Sequence, residues 1–301
     1  MALYNKLNEK SWEEKSGFFK NNFSPCRLCP RVCNSKRSSD MAGVCRAGKD
    51  LRIASYNLHF GEEPPISGIR GSGTIFFSGC TLKCIFCQNF PISQLDNGKV
   101  YSIDDLTQIF LELKERGAHN INLVSPTPYL YHIVSALRTA SKQGLDLPVV
   151  YNSGGYERKE IIKKLNNIID VYMPDFKYSD PVISKKYSGI SDYPEMAFDA
   201  ISEMFRQVGS LLVDENGIAV RGMIIRHLIL PGHIKNSKDV LKKIGESNFR
   251  DAYLSLMSQF FPAYNASGDE HLKKRLKPEE YEEVKSFAIS KGLVNGWFQD
   301  I

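Results

Sequence analysis

Cysteine is absent from most of this chain: residues 88–301 contain none, although the 301-residue sequence holds seven. Also absent is any run of about 18 apolar residues, so no membrane-spanning helix is expected. The first 20 residues are polar and charged and lack the apolar centre of a secretory leader. The expected location is therefore the cytoplasm, where thiols stay reduced. Net charge is small: 39 Lys and Arg against 34 Asp and Glu leave +5, which does not by itself argue for a nucleic-acid partner. The densest basic run, Lys273-Lys274-Arg275 with Lys277, leads into the acidic stretch Pro278-Glu279-Glu280 and reads as a solvated face. A phosphate-binding glycine loop is missing as well, because Gly68, Gly71 and Gly73 precede a strand instead of following one. No repeat or low-complexity segment interrupts the chain. What remains is a 42% hydrophobic sequence, long enough for one large core plus a small appendage.

The seven cysteines fall into two groups, Cys26 to Cys45 and Cys80 to Cys87. In a reduced compartment such grouping calls for a metal or catalytic explanation before a disulfide one. Beyond residue 70 the pattern alternates. Apolar runs at 74–77, 121–124, 147–151, 169–173, 220–230 and 253–257 read as strands. Helical periodicity fills the intervals, with Ser102 placed as the N-cap of a helix running to Arg116-Gly117 and Pro278 opening a last one that Gly292 ends. Six strands alternating with helices predict an α/β fold: a parallel sheet with right-handed crossovers, too short to close into an eight-stranded barrel. The expected architecture is a partial (βα)6 barrel over 71–301, with a small metal-binding extension over 1–70. In parallel α/β folds chemistry sits at the C-terminal strand ends.

Cys80-x3-Cys84-x2-Cys87 follows the first of these strands directly. A cubane cluster fully held by protein takes four cysteines. Three thiolates leave one iron open to an outside ligand, as a catalytic zinc keeps one position open. Three cysteines with no fourth nearby make a poor closed zinc site. This spacing, with aromatic Phe86 before the last cysteine, resembles the signature of the radical SAM superfamily. The likeness extends over about residues 70–265 to the branch that includes the pyruvate formate-lyase activating enzyme.

That resemblance implies a [4Fe–4S] cluster on Cys80, Cys84 and Cys87 and S-adenosylmethionine bound at its open iron. It implies reductive cleavage to a 5′-deoxyadenosyl radical that abstracts hydrogen from a substrate. The substrate would be a glycine of a partner protein, a peptide or a small molecule; an electron-transfer protein is the non-enzymatic alternative. A flavodoxin or ferredoxin would supply the electron. Cosubstrate contacts carry over to the strand ends. Ser125-Pro126-Thr127-Pro128 stands where the branch has Gly-Gly-Glu-Pro, so Ser125 and Thr127 would receive the amine without a carboxylate. Asn152-Ser153 falls near the ribose, and Asp175-Phe176-Lys177 resembles an Asp-Leu-Lys motif. Arg226 would reach the methionine carboxylate with its planar fork, leaving His227 on the opposite face as a packed histidine. Gln259 would face the adenosyl end.

Cys26-x2-Cys29-x3-Cys33-x11-Cys45 is a complete set of four soft ligands. Paired Cys-x2-Cys knuckles would indicate zinc. Only the first pair has that spacing, which favours an auxiliary [4Fe–4S] site over zinc. Arg27, Arg31, Lys36, Arg37 and Arg46 surround the thiols and would offset thiolate charge.

Overall fold

The computed structural model describes residues 2–38 and 42–300. Ten strands form one sheet: β1 (Leu51–His59), β2 (Ser72–Phe77), β3 (Lys99–Tyr101), β4 (Ile121–Val124), β5 (Val149–Ser153), β6 (Val171–Pro174), β7 (Leu212–Val213), β8 (Ala219–Leu228), β9 (Tyr253–Met257) and β10 (Gly296–Phe298). Their order is β10-β9-β8-β6-β5-β4-β2-β1-β3, with β7 added to β8. The six expected strands are β2, β4, β5, β6, β8 and β9, adjacent in sequence order and parallel throughout. That is the partial barrel read from the alternation. β10 adds one more parallel strand beside β9. At the other edge β1 pairs antiparallel with both β2 and β3.

Helices pack over the strands because each carries one apolar stripe. Residues Ile103–Glu115 are capped by Ser102, whose hydroxyl accepts from the Asp105 amide at 3.0 Å while the Asp105 carboxylate accepts from the Ser102 amide at 2.8 Å. Leu106, Ile109, Phe110 and Leu113 of that helix are buried.

The N-terminal residues join the same core. Tyr4, Trp12 and Phe19, the last two on the helix Glu9–Phe23, are buried in one cluster with Leu137 and Tyr151. The Tyr4 hydroxyl donates to the Leu147 carbonyl at 2.9 Å, and the Leu3 amide to Asp170 at 2.7 Å. The division expected at residue 70 falls between β1 and β2, two strands paired in one sheet. No helix is long and apolar enough to cross a membrane among the described residues.

Candidate active site

The loop after β2 carries Cys80, Cys84 and Cys87 to the C-terminal end of the parallel strands. Hydrogen bonds pin it on several sides. The Gly79 amide donates to Ile92 O at 3.0 Å and the Ile85 amide to Tyr187 O at 2.9 Å. Cys84 Sγ lies 3.0 Å from Ser188 Oγ, which in turn meets the Tyr178 hydroxyl at 2.7 Å. Cys87 Sγ lies 3.1 Å from Ser93 Oγ. Burial pushes the Cys80 thiol up to about 12 and that of Cys84 to about 11, so both hold their protons until a metal displaces them.

These three cysteines share a cavity of about 240 Å³ with Ser125, Asn152, Ser153, Asp175, Lys177, Arg226 and Gln259. Strand register explains the convergence. Asp175 bridges Arg226 in parallel, and the Phe176 amide donates to the Arg226 carbonyl at 2.8 Å, so neighbouring strand ends point their side chains together. Arg226 Nε reaches Asp175 Oδ1 at 2.8 Å, and its terminal nitrogens reach Asn152 Oδ1 at 2.7 Å and Glu62 Oε2 at 3.5 Å. Lys177 Nζ binds the other Asp175 oxygen. Burial alone would raise the Asp175 pKa, but Arg226 and Lys177 outweigh it and hold the carboxylate below its usual range. Burial opposes the charge on Lys177, and Asp175 and Cys84 restore it, leaving the ammonium above its ordinary value. Gln259 sits exposed at the rim, its backbone carbonyl accepting from Gln88 Nε2 at 3.1 Å. Ser125 adopts a left-handed φ of 58°, and its amide donates to the Asn152 carbonyl at 2.9 Å.

Thr127 corrects the sequence reading: it does not line this cavity. The chain turns at Pro126, and the Thr127 hydroxyl points to the far side, donating to Glu157 Oε1 at 2.6 Å and pairing with the Tyr151 hydroxyl at 3.1 Å. Glu62 went unread, because Gly61 to Gly68 has the composition of a loop. Its carboxylate is buried and contacts Asn122 and Asn152, partners 60 and 90 residues away. No local pattern could have marked it. His227 is fully buried with Nδ1 2.7 Å from the Phe176 carbonyl, the packed histidine expected.

Cys26, Cys29, Cys33 and Cys45 line a second, small cavity with Arg31, Arg37, Thr81 and Pro128. Its volume of about 10 Å³ is the room of one water molecule. Burial pushes the Cys29 thiol up to about 12, with Cys45 and Cys26 close enough to add to the effect. Arg37 is buried, donates to Cys26 Sγ at 3.0 Å and lies over the Phe23 ring. Among the described residues no three or more His, Cys, Asp or Glu side chains are gathered as for a single metal ion.

Residues 74–255 match the sequence profile of the Radical SAM superfamily. An uncharacterised protein of Methanocaldococcus jannaschii is 32% identical over 278 residues, covering 89% of this chain and 75% of that protein. Two structures of Streptococcus suis SuiB share the fold. One is bound to the precursor peptide SuiA, with a TM-score of 0.50 and 13% identity over 72% of this chain. The other is bound to S-adenosylmethionine, with a TM-score of 0.50 and 12% identity over 73% of this chain. The match spans about half of those structures, 46% and 48% of their lengths.

Proposed function

This chain belongs to the radical SAM superfamily, and from that premise we propose that it cleaves S-adenosylmethionine reductively and directs the radical at a peptide or protein segment presented to the cavity mouth. The observation that carries the reading is the convergence of three cysteines and the Asn152, Asp175, Lys177 and Arg226 side chains in one cavity. An electron carrier needs no such set. The three thiols, Cys84 buried and Cys80 and Cys87 half-buried, fit a [4Fe–4S] cluster with one iron left to the cosubstrate. When bound, that cluster supplies the electron that breaks a sulfonium carbon–sulfur bond, giving methionine and a 5′-deoxyadenosyl radical that takes hydrogen from the substrate.

The chain's own groups bind, orient and shield. Arg226 offers its guanidinium to the methionine carboxylate, already aimed by Asp175, Asn152 and Glu62. Ser125 supplies an acceptor for the amine, Ser153 lies near the ribose, and Gln259 stands at the rim for the adenosyl end. Lys177 offsets charge at Cys84. Leu82, Phe86, Leu228 and Met257 complete an apolar wall that keeps water from a reactive radical.

The cavity opens beside Gln88 and Gln259, so a reacting group on a chain segment can reach in from that mouth; a glycine of a partner protein is one such group. SuiB, whose fold is similar, holds a precursor peptide. The four N-terminal cysteines are proposed to hold a second centre, an iron–sulfur cluster by their spacing.

The test is anaerobic. The protein is reconstituted with iron and sulfide, reduced, given S-adenosylmethionine and assayed for 5′-deoxyadenosine, with Cys84→Ala alongside. Product from the unaltered protein alone is expected, with about eight irons per chain; about four irons plus one zinc would reassign the N-terminal site. No product from the fully loaded protein sinks the enzymatic reading.

A further inference from the structure

A third cavity lies at the far end of the sheet from all seven cysteines. Gly68 and Arg70 stand just before β2, His119 before β4 and Ile218 before β8, while Tyr253 opens β9. All of them line it, so it sits at the N-terminal ends of the parallel strands, and its volume is about 550 Å³. Small-molecule sites typically measure about 300–1,000 Å³ and are mostly apolar with a few placed polar groups. Pro64, Pro65 and Ile218 supply apolar walls here, and Ile69 stands at the rim 92% exposed. Gly68 makes the walls meet: a Cβ there would stand 2.3 Å from Ile218 Cδ1 and 2.7 Å from His119 Nε2.

Two opposite charges face this cavity. The Arg70 amide donates to His119 Nε2 at 3.2 Å, so the neutral ring carries its proton on Nδ1. Burial and the nearby guanidinium hold the His119 pKa below its ordinary value, which keeps the ring neutral. Arg70 Nη2 stands 3.2 Å from that same Nδ1, donor against donor. The guanidinium is thus left without an acceptor on the protein among the described residues. Asp214 is the other charge. Its Oδ1 accepts from the Ile218 and Asn216 amides, both at 2.9 Å, and these bonds fix the carboxylate and hold it below its usual range. Among the described residues neither Arg70 nor Asp214 forms an ion pair, with each other or with a third group. Both are exposed at the cavity and open to a ligand.

We infer that this cavity binds a free α-amino acid with an apolar or aromatic side chain. A fixed cation and a fixed anion held apart beside an apolar wall complement a zwitterion, whereas a simple anion or cation would leave one of them unmatched. Arg70 takes the carboxylate through its planar fork of donors, Asp214 takes the ammonium, and Pro64, Pro65 and Ile218 bed the side chain. The site is separate from the radical chemistry and does not depend on it.

The experiment titrates the full chain with 4-fluoro-L-phenylalanine, followed by fluorine NMR. Saturable binding of one equivalent is expected. N-acetyl-L-phenylalanine, which lacks the ammonium, and L-phenylalanine amide, which lacks the carboxylate, should each displace the probe at least tenfold less well than L-phenylalanine. Arg70→Gln and Asp214→Asn should each weaken binding at least tenfold, with the unfolding transition unchanged, since the asparagine keeps the oxygen that accepts the two amides. Should Asp214→Asn loosen its turn, Arg70→Gln decides, because its side chain supports no backbone contact. Excess S-adenosylmethionine should leave probe affinity within twofold. The inference is overturned by an absence of saturation, by equal displacement with either blocked derivative, or by full affinity in Arg70→Gln. Displacement by S-adenosylmethionine overturns it as well, since the probe would then occupy the cysteine cavity.

Discussion

At the residue scale the site turns on one carboxylate. Asp175 is buried and accepts from both Arg226 and Lys177, so two cations inside the barrel mouth depend on it. Removing the charge of one member of a buried network leaves the others uncompensated, which costs about 3 kcal/mol or more. Asp175→Asn is therefore expected to lower unfolding stability by about that amount and to weaken S-adenosylmethionine binding, read by urea denaturation and by calorimetric titration. A variant as stable as the original would remove the network from its proposed role. Thr127 shows the opposite lesson: a hydroxyl placed by motif alignment is spent on Glu157 and Tyr151 instead.

At the element scale the loop after β2 is held by what packs against it. Gly79 has φ of 81° and the Cys45 carbonyl at its back, two independent reasons for glycine. Gly79→Ala puts a methyl where backbone already stands, and neither side is a flexible side chain. Iron incorporation after reconstitution should fall at least severalfold, since the turn that delivers Cys80 must shift; full iron loading in the variant would refute this. The strands themselves needed no such help. The central parallel strands β4, β5 and β6 are buried on both faces, so most of their residues are apolar and stand out in the chain. β1 alternates polar and apolar residues and pairs at an edge, and β3, β7 and β10 are two or three residues long, too short for any period to register.

At the scale of the whole molecule, buried ionisable groups tie stability to pH. Glu157 is 2% exposed, and burial pushes its carboxyl up to about 8 from 4.5, against hydrogen bonds from Thr127, Tyr151 and Ser153 that favour the charged form. Below about pH 4.5 folded and unfolded chains are both neutral at this site, and its contribution is fully present. Between pH 4.5 and 8 only the unfolded chain ionises, so stability declines as pH rises; above about 8 the loss is complete. Glu157→Gln should therefore match the original in melting temperature near pH 4, exceed it increasingly up to about pH 8 and gain nothing further above that. A difference independent of pH would refute the burial argument. The N-terminal helix and the segment of the first four cysteines pack with the barrel, since Tyr4, Trp12, Phe19 and Cys45 lie in one core with it.

By itself the sequence determined the order and direction of the six central strands and the loop bearing Cys80, Cys84 and Cys87. Hydrophobic period, turn residues and cysteine spacing are local quantities, and the chain states them directly. Asn152, Asp175, Lys177 and Arg226 were legible through strand-end position and likeness to a family. That they meet in one cavity was decided by the sheet, whose parallel register brings residues tens of positions apart side by side. Only the tertiary structure placed Glu62 on Arg226, turned Thr127 away and set the two cysteine groups on either side of Gly79 to Thr81. Those are contacts between distant segments, settled by packing, and no period or spacing within the chain records them.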